Sequence, residues 1–230
     1  MHVVQVLVSL NLGGSELVAV ELAEFAVAHG HRSTVIAAPG PLAPRLDACG
    51  AEHLAWPIGR KRLSTLAYIR RLREWIARER PDVVHAHSRL PAWISRLALR
   101  GLPDASRPAW VTSMHGHYSV SRYSAVMASG ERVIAVSDHI RDYTLQNYPG
   151  TDPARIVTVH GGVSAPLWFI RNQAAVQLLW QSRSVPMMPP FSTPPKASWW
   201  LDGVQTATSS PGLPSFMAIF STRDWRSPSI

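Results

Sequence analysis

Hydrophobic positions over the first 160 or so residues fall into short β-branched runs that alternate with longer amphipathic stretches, each switch marked by Gly, Pro, Ser or Asp. This alternation is the signature of an α/β fold. Val3 to Ser9 reads as a buried strand. Further strands are expected at Thr34–Ala38, Glu52–Ala55, Asp82–Ala86, Ala109–Ser113, Val133–Val136 and Ile156–Val159. Helices are expected between them at Leu17–Ala28, Leu42–Cys49, Ser64–Glu79, Pro91–Arg100, Arg122–Ala128 and Asp138–Asn147. The first would turn Val18, Leu22, Phe25 and Ala26 to one face and end at Gly30. Strands that are nearly all apolar and separated by helices imply a doubly wound parallel sheet covered on both faces, a Rossmann-like half-unit.

Ligands of such sheets bind in the crevice at the carboxyl ends of the strands, so the residues just past each strand carry the candidate chemistry. They are Asn11 to Glu16 after the first strand, His87-Ser88-Arg89 after the Asp82 strand, Met114 to Tyr118 after the Ala109 strand, and Ser137-Asp138 after the Val133 strand. Gly13-Gly14 lets backbone approach a ligand closely while free N–H groups at a helix start attract phosphate, although a plain strand-to-helix turn would read the same. There is no Gly-x-Gly-x-x-Gly and no Gly-Lys-Ser/Thr ending, which removes support for dinucleotide binding and ATP hydrolysis. His115 precedes Gly116, so its ring can project into the crevice from a loop able to fold over a sugar or phosphate. His85-x-His87 and His115-x-His117 also have the spacing of side chains on one strand face, but no Asp or Glu adjoins them in a metal-hydrolase spacing, and no residue is assigned to a metal.

The chain carries a formal net charge of +8, which favours an anionic partner. Arg60-Lys61-Arg62 and the following stretch, with Arg70, Arg71 and Arg73 set against Leu63, Leu66, Ile69, Leu72 and Ile76, read either as a solvated outer helix or as a surface adhering to anionic lipid. No aromatic residues interleave with the basic ones as in a nucleic-acid-binding face, so no nucleic-acid partner is expected. A single cysteine, Cys49, rules out a disulfide framework, and the short apolar start without a basic flank is neither a signal peptide nor a membrane span, so a cytoplasmic protein is expected. Composition changes after Val163. All 10 His, every Glu and every Tyr precede that point; beyond it lie 9 of the 19 Pro and 5 of the 9 Trp. Residues 164–230 are therefore expected to be a poorly structured, non-native tail behind a domain formed by residues 1–163.

With these residues in place, the front of the chain resembles the N-terminal domain of GT-B retaining glycosyltransferases of the family-4-like, group 1 kind, which include bacterial cell-envelope sugar transferases. The matching pieces, in the family's order, are Gly13-Gly14-Ser15-Glu16, Pro81 to His87, Thr112 to Gly116, Val133 to Ser137, and Arg155 to Val163. The resemblance implies transfer of a sugar from a nucleotide-sugar donor, with no other cofactor, to a glycan or lipid-linked acceptor such as a lipopolysaccharide-type glycan. It implies that His115 faces the reacting sugar as the catalytic residue, and that Gly13, Gly14, Ser15, Glu16, His87, Gly116 and Ser137 bind donor diphosphate or substrate. In the family a second Rossmann-like domain follows, with a pair of glutamates; after Val163 this chain has no glutamate, and where the family reads Asn-Gly-Val-Asp it reads Gly161-Gly162-Val163-Ser164. The expectation is a truncated or frameshifted transferase, inactive alone and peripheral at the inner face of the membrane. The alternatives are a non-catalytic acceptor-binding or membrane-recruiting subunit that works with a separate donor-binding subunit, and a metal-dependent hydrolase.

Overall fold

Seven parallel strands form one sheet in the computed structural model, which describes residues 1–160. They are β1 (His2–Ser9), β2 (Arg32–Ala38), β3 (Glu52–Ala55), β4 (Val83–Ala86), β5 (Ala109–Met114), β6 (Arg132–Ala135) and β7 (Ile156–Thr158). The helices are α1 (Gly14–Ala28), α2 (Ala43–Cys49), α3 (Ala67–Glu79), α4 (Arg89–Arg100) and α5 (Asp138–Asn147). Strand order is β3-β2-β1-β4-β5-β6-β7, so the winding reverses between β1 and β4 and opens a crevice at their carboxyl ends. This is the expected α/β Rossmann-like sheet. The expectations for residues 164–230, and for the glycine pair at Gly161-Gly162, lie outside the described residues.

Alternation along the strands divides the core in two. Val4, Val6, Ile36, Val84 and Ala86 pack with Leu72, Trp75 and Ile76 of α3 and with Ile94, Ala98 and Leu99 of α4. Leu7, Val35 and Ala37 point the other way, onto Ala19, Val20 and Ala23 of α1 and Leu46 of α2. Each fully buried Leu or Ile contributes about 1.5–3 kcal/mol by leaving water, which is why the apolar runs dictate both faces.

Three local expectations are corrected. Helix α1 buries Ala19, Val20, Leu22, Ala23 and Ala26 rather than the stripe through Val18 and Phe25. Its small alanines allow close approach to the sheet, and Phe25 turns aside to stack on His29 with ring centroids 3.7 Å apart. Gly30, at φ +76°, then ends the helix in a conformation that a side chain disfavours. The stretch from Ser64 begins as a 3₁₀ turn, Leu63–Leu66, and becomes α3 only at Ala67, so Leu63 and Leu66 are 87% and 54% exposed instead of facing the core. The segment expected as a helix at Arg122–Ala128 is a 3₁₀ turn, Ser124–Ala128, entered through a bond in which the Ser124 N–H donates to Oγ of Ser121.

Candidate functional site

The crevice is built from four strand ends. After β1 the chain leaves in extended conformation at Gly13, and α1 starts without a side-chain cap. Glu16, at the third helical position, folds back so that a Cβ on Gly13 would collide with its carboxylate, while the Ser15 hydroxyl donates to that carboxylate at 2.7 Å. A side chain at position 13 would meet only the movable end of Glu16, so it would displace this fold-back and leave the backbone path as it is. Gly14 and Gly116 face open space. The carboxylate of Glu16 already complements the positive end of α1, so an incoming phosphate has to displace it or bind beside it.

Beneath the crevice runs a row of polar side chains in an otherwise apolar sheet. Register pairs Gln5 of β1 with His85 of β4, and His85 with Val111 of β5. Nε2 of His85 lies 2.7 Å from the Ser113 hydroxyl. His87, one residue past β4, places Nε2 3.1 Å from Oε1 of Gln5 and Nδ1 3.0 Å from Nε2 of His115, one residue past β5. The rings of His85 and His87 sit 4.1 Å apart, and those of His87 and His115 5.3 Å apart in a stack. Burial pushes all three imidazoles down: His85 to about 3, His115 to about 4, and His87 well below its ordinary value, where the two neighbouring histidines add to the effect. The Glu16 carboxylate acts on His115 in the opposite sense, which places the α1 start within electrostatic reach of that ring. All three rings are neutral at pH 7.

The expected site residues thus separate into groups. Gly13 to Glu16, His87 and His115 come together at the switch point, with Gly116 open beside them. Ser137 is engaged elsewhere, because its hydroxyl accepts from the Ile140 N–H at 3.3 Å and caps α5. The His-x-His spacings form no chelate: His85 and His87 turn to different partners, and His117 pairs with His139 at 2.9 Å. Among the described residues no three His, Cys, Asp or Glu side chains converge where a metal ion would be held. Gln5 escaped the sequence reading, although a lone amide inside an apolar strand was the available signal. Arg89 was noted there only as part of the edge. Its guanidinium lies 5.1 Å from the Tyr118 ring and 5.5 Å from the Tyr123 ring and donates to the Ser124 hydroxyl at 3.3 Å, which fixes a cation beside His115's loop.

The basic edge also divides. Arg60, Arg62, Arg70 and Arg71 line a cavity of about 600 Å³ with Tyr68 and Thr65. Arg71 stacks 4.3 Å over Trp56, and Arg70 pairs with Glu74 at 3.4 Å. Arg73 is a correction to the expected membrane-facing set: its guanidinium donates to the carbonyls of Leu97 and Ala98 at 3.1 and 3.2 Å, closing the end of α4 instead of facing outward. No helix among the described residues is long and apolar enough to cross a membrane.

A doubly wound parallel sheet with its polar groups gathered at one switch point defines a Rossmann-like α/β half-unit. Residues 12–165 match the model of Glycosyltransferase Family 4, and the chain belongs to that family. It is 31% identical over 103 residues to the alpha-maltose-1-phosphate synthase of Mycolicibacterium smegmatis, a match covering 40% of this chain and 27% of that protein. A glycosyltransferase structure from Rickettsia africae superposes with a TM-score of 0.63 at 25% identity, over 86% of this chain and 55% of the other. The Anabaena HepE structure, solved with UDP and glucose, superposes with a TM-score of 0.52 at 16% identity, over 76% and 50% of the two chains. The chain thus spans about a quarter of the curated relative and about half of these solved structures.

Proposed function

We propose that residues 1–160 are the acceptor-side half of a retaining sugar transferase, which orients the hydroxyl of a cell-envelope glycan or lipid-linked acceptor against a sugar supplied from a nucleotide-sugar. The observation that carries this reading is the convergence of His115, the α1 start and Arg89 on the switch-point crevice of a family 4 chain. His115 is the group offered to the reacting sugar. Gly13, Gly14, Ser15 and Gly116 leave room for backbone contact with the diphosphate, and Arg89 supplies a positive charge near where negative charge develops on the leaving group. A nucleotide-sugar is the donor substrate, and no further cofactor is invoked. The chain spans only about half of the R. africae enzyme, which supports a requirement for a donor-binding half, here or on a separate subunit, before transfer occurs.

The exposed apolar pair Leu63 and Leu66, between Arg60-Lys61-Arg62 and the arginines of α3, favours a second role in the same chain: recruitment to an anionic membrane surface at its cytoplasmic face. The arginine-lined cavity suits a phosphate on the acceptor. The name of the M. smegmatis relative, a maltose-1-phosphate synthase, agrees with a phosphorylated sugar in that role. The test is transfer of radiolabelled sugar from a panel of nucleotide-sugars to an envelope lipid extract. The chain alone should give none, and the chain supplemented with a donor-side domain should give product. Turnover by the chain alone contradicts the incompleteness, and no product with any donor-side domain contradicts the acceptor role.

A further inference from the structure

Gln5 lies fully buried in the middle of β1, between Val4 and Val6. A buried amide costs about 1–3 kcal/mol unless both of its ends are paired. Here both are. The Nε2 group donates to the carbonyl of Ala19 in α1 at 2.8 Å, and because a carbonyl only accepts, this bond fixes which end of the amide is nitrogen. Oε1 of Gln5 therefore faces Nε2 of His87 at 3.1 Å. An amide oxygen only accepts, so Nε2 of His87 carries the hydrogen. In a neutral ring the other nitrogen, Nδ1, is then a lone pair, and Nε2 of His115, 3.0 Å away, has to donate to it. By the same rule Nδ1 of His115 is left as a lone pair, and it has no hydrogen-bond partner among the described residues.

We propose that Gln5 is a positioning residue: anchored on the Ala19 carbonyl, it sets the tautomers of His87 and His115 in series, so that His115 offers Nδ1 as a hydrogen-bond acceptor to a substrate hydroxyl at the carboxyl edge. The identity of that hydroxyl as a sugar's rests on the acceptor-side reading; the tautomers do not. The device orients and does not conduct, because the amide at its inner end cannot take up a proton. It also explains why a second imidazole, that of His87, is buried behind His115. A single ring at position 115 would be free to present either nitrogen, and an N–H there would compete for the hydroxyl's oxygen instead of accepting its hydrogen.

The test is long-range ¹H–¹⁵N correlation of the imidazole rings in the ¹⁵N-labelled full chain at pH 7. His87 and His115 are both expected as Nε2–H tautomers with unprotonated Nδ1. Gln5→Leu removes the acceptor and should move the two ring nitrogens of His115 toward each other as its tautomers mix. Gln5→Glu, with the introduced carboxyl protonated, can still donate to Ala19 and accept from His87, and should restore the wild-type pattern. His115 found as the Nδ1–H tautomer in the wild type overturns the proposal, as does a His115 pattern unchanged in Gln5→Leu. The wild-type spectrum is decisive even where Gln5→Leu does not fold. A failed sugar-transfer assay leaves these spectra as they are, so the two readings fall separately.

Discussion

The row beneath β4 and β5 and the edge after β3 both gather nitrogen-bearing side chains, and they are built in opposite ways. In the row, His85 and His87 are 0% and 1% exposed, and all three imidazoles are held neutral by burial. At the edge, Arg60, Lys61, Arg62, Arg70 and Arg71 are exposed to water. Burial exchanges charge for direction: a neutral imidazole has one donor and one acceptor, and its partners decide which is which. Exposure keeps charge and gives up direction, so the arginine edge attracts any nearby anion in a manner that salt weakens. One region is suited to orienting a hydroxyl and the other to holding a phosphate or a surface.

The largest way to break this contrast is His87→Leu. It strands the Gln5 oxygen and the His115 N–H in a dry environment, and urea unfolding should show a loss of about 2–4 kcal/mol. Arg62→Ala should stay within about 0.5 kcal/mol of wild type, since its hydrogen bonds among the described residues are made by the backbone, which the substitution keeps. Equal effects from the two variants would erase the distinction.

Acid is the next lever. The folded-state pKa values of His85, His87 and His115 lie below the ordinary value of 6.5, so the unfolded chain binds protons first as pH falls. Their contribution to stability is complete above pH 6.5 and is lost downward through the window that reaches about 4 for His115 and about 3 for His85. At pH 5 His85 should have cost about 2 kcal/mol, with His87 acting in the same direction. Denaturant midpoints that stay flat between pH 7 and pH 5 would contradict the burial.

Vesicle binding sharpens the other side. At low salt Arg62→Ala should weaken partition onto anionic vesicles by about 1 kcal/mol, roughly fivefold, and Leu63→Ser should weaken it further, whereas Arg73→Ala should leave it unchanged and instead cost about 1 kcal/mol of folding stability through loss of the α4 cap. Flotation assays paired with thermal melts separate these outcomes. The smallest effect belongs to Gly116→Ala, which has open space around its Cβ and should change stability by less than about 0.5 kcal/mol. A large loss there would mean that the crevice is more crowded than the structure shows.

Much of the fold was legible from the chain because strands buried on both faces must be apolar along their whole length. Val83–Ala86 and Ala109–Met114, buried along their whole length, fall within one residue of where the pattern places them. What escaped was of a different kind. The exposure of Leu63 and Leu66 was hidden because a 3.6-residue period was extended back through a 3₁₀ turn, where successive side chains rotate differently. Arg73 could not be told from Arg70 or Arg71 by spacing, since its partners are carbonyls 24 and 25 residues away. At the site, His87 and His115 were legible as residues just past strands. Their contact, and the part played by Gln5, depend on the β1–β4–β5 register, which no local pattern carries.

The central claim is that the carboxyl edge between β1 and β5 receives the acceptor. Chemical-shift mapping of the ¹⁵N-labelled chain with glucose 1-phosphate, a sugar that carries both hydroxyls and a phosphate, tests it most directly. The account predicts perturbations at Gly14, His115 and Gly116, with a second set at Arg60 to Arg71. Saturable shifts confined to the opposite, amino-terminal edge of the sheet, around Met1, Arg32 and Asp82, would contradict it.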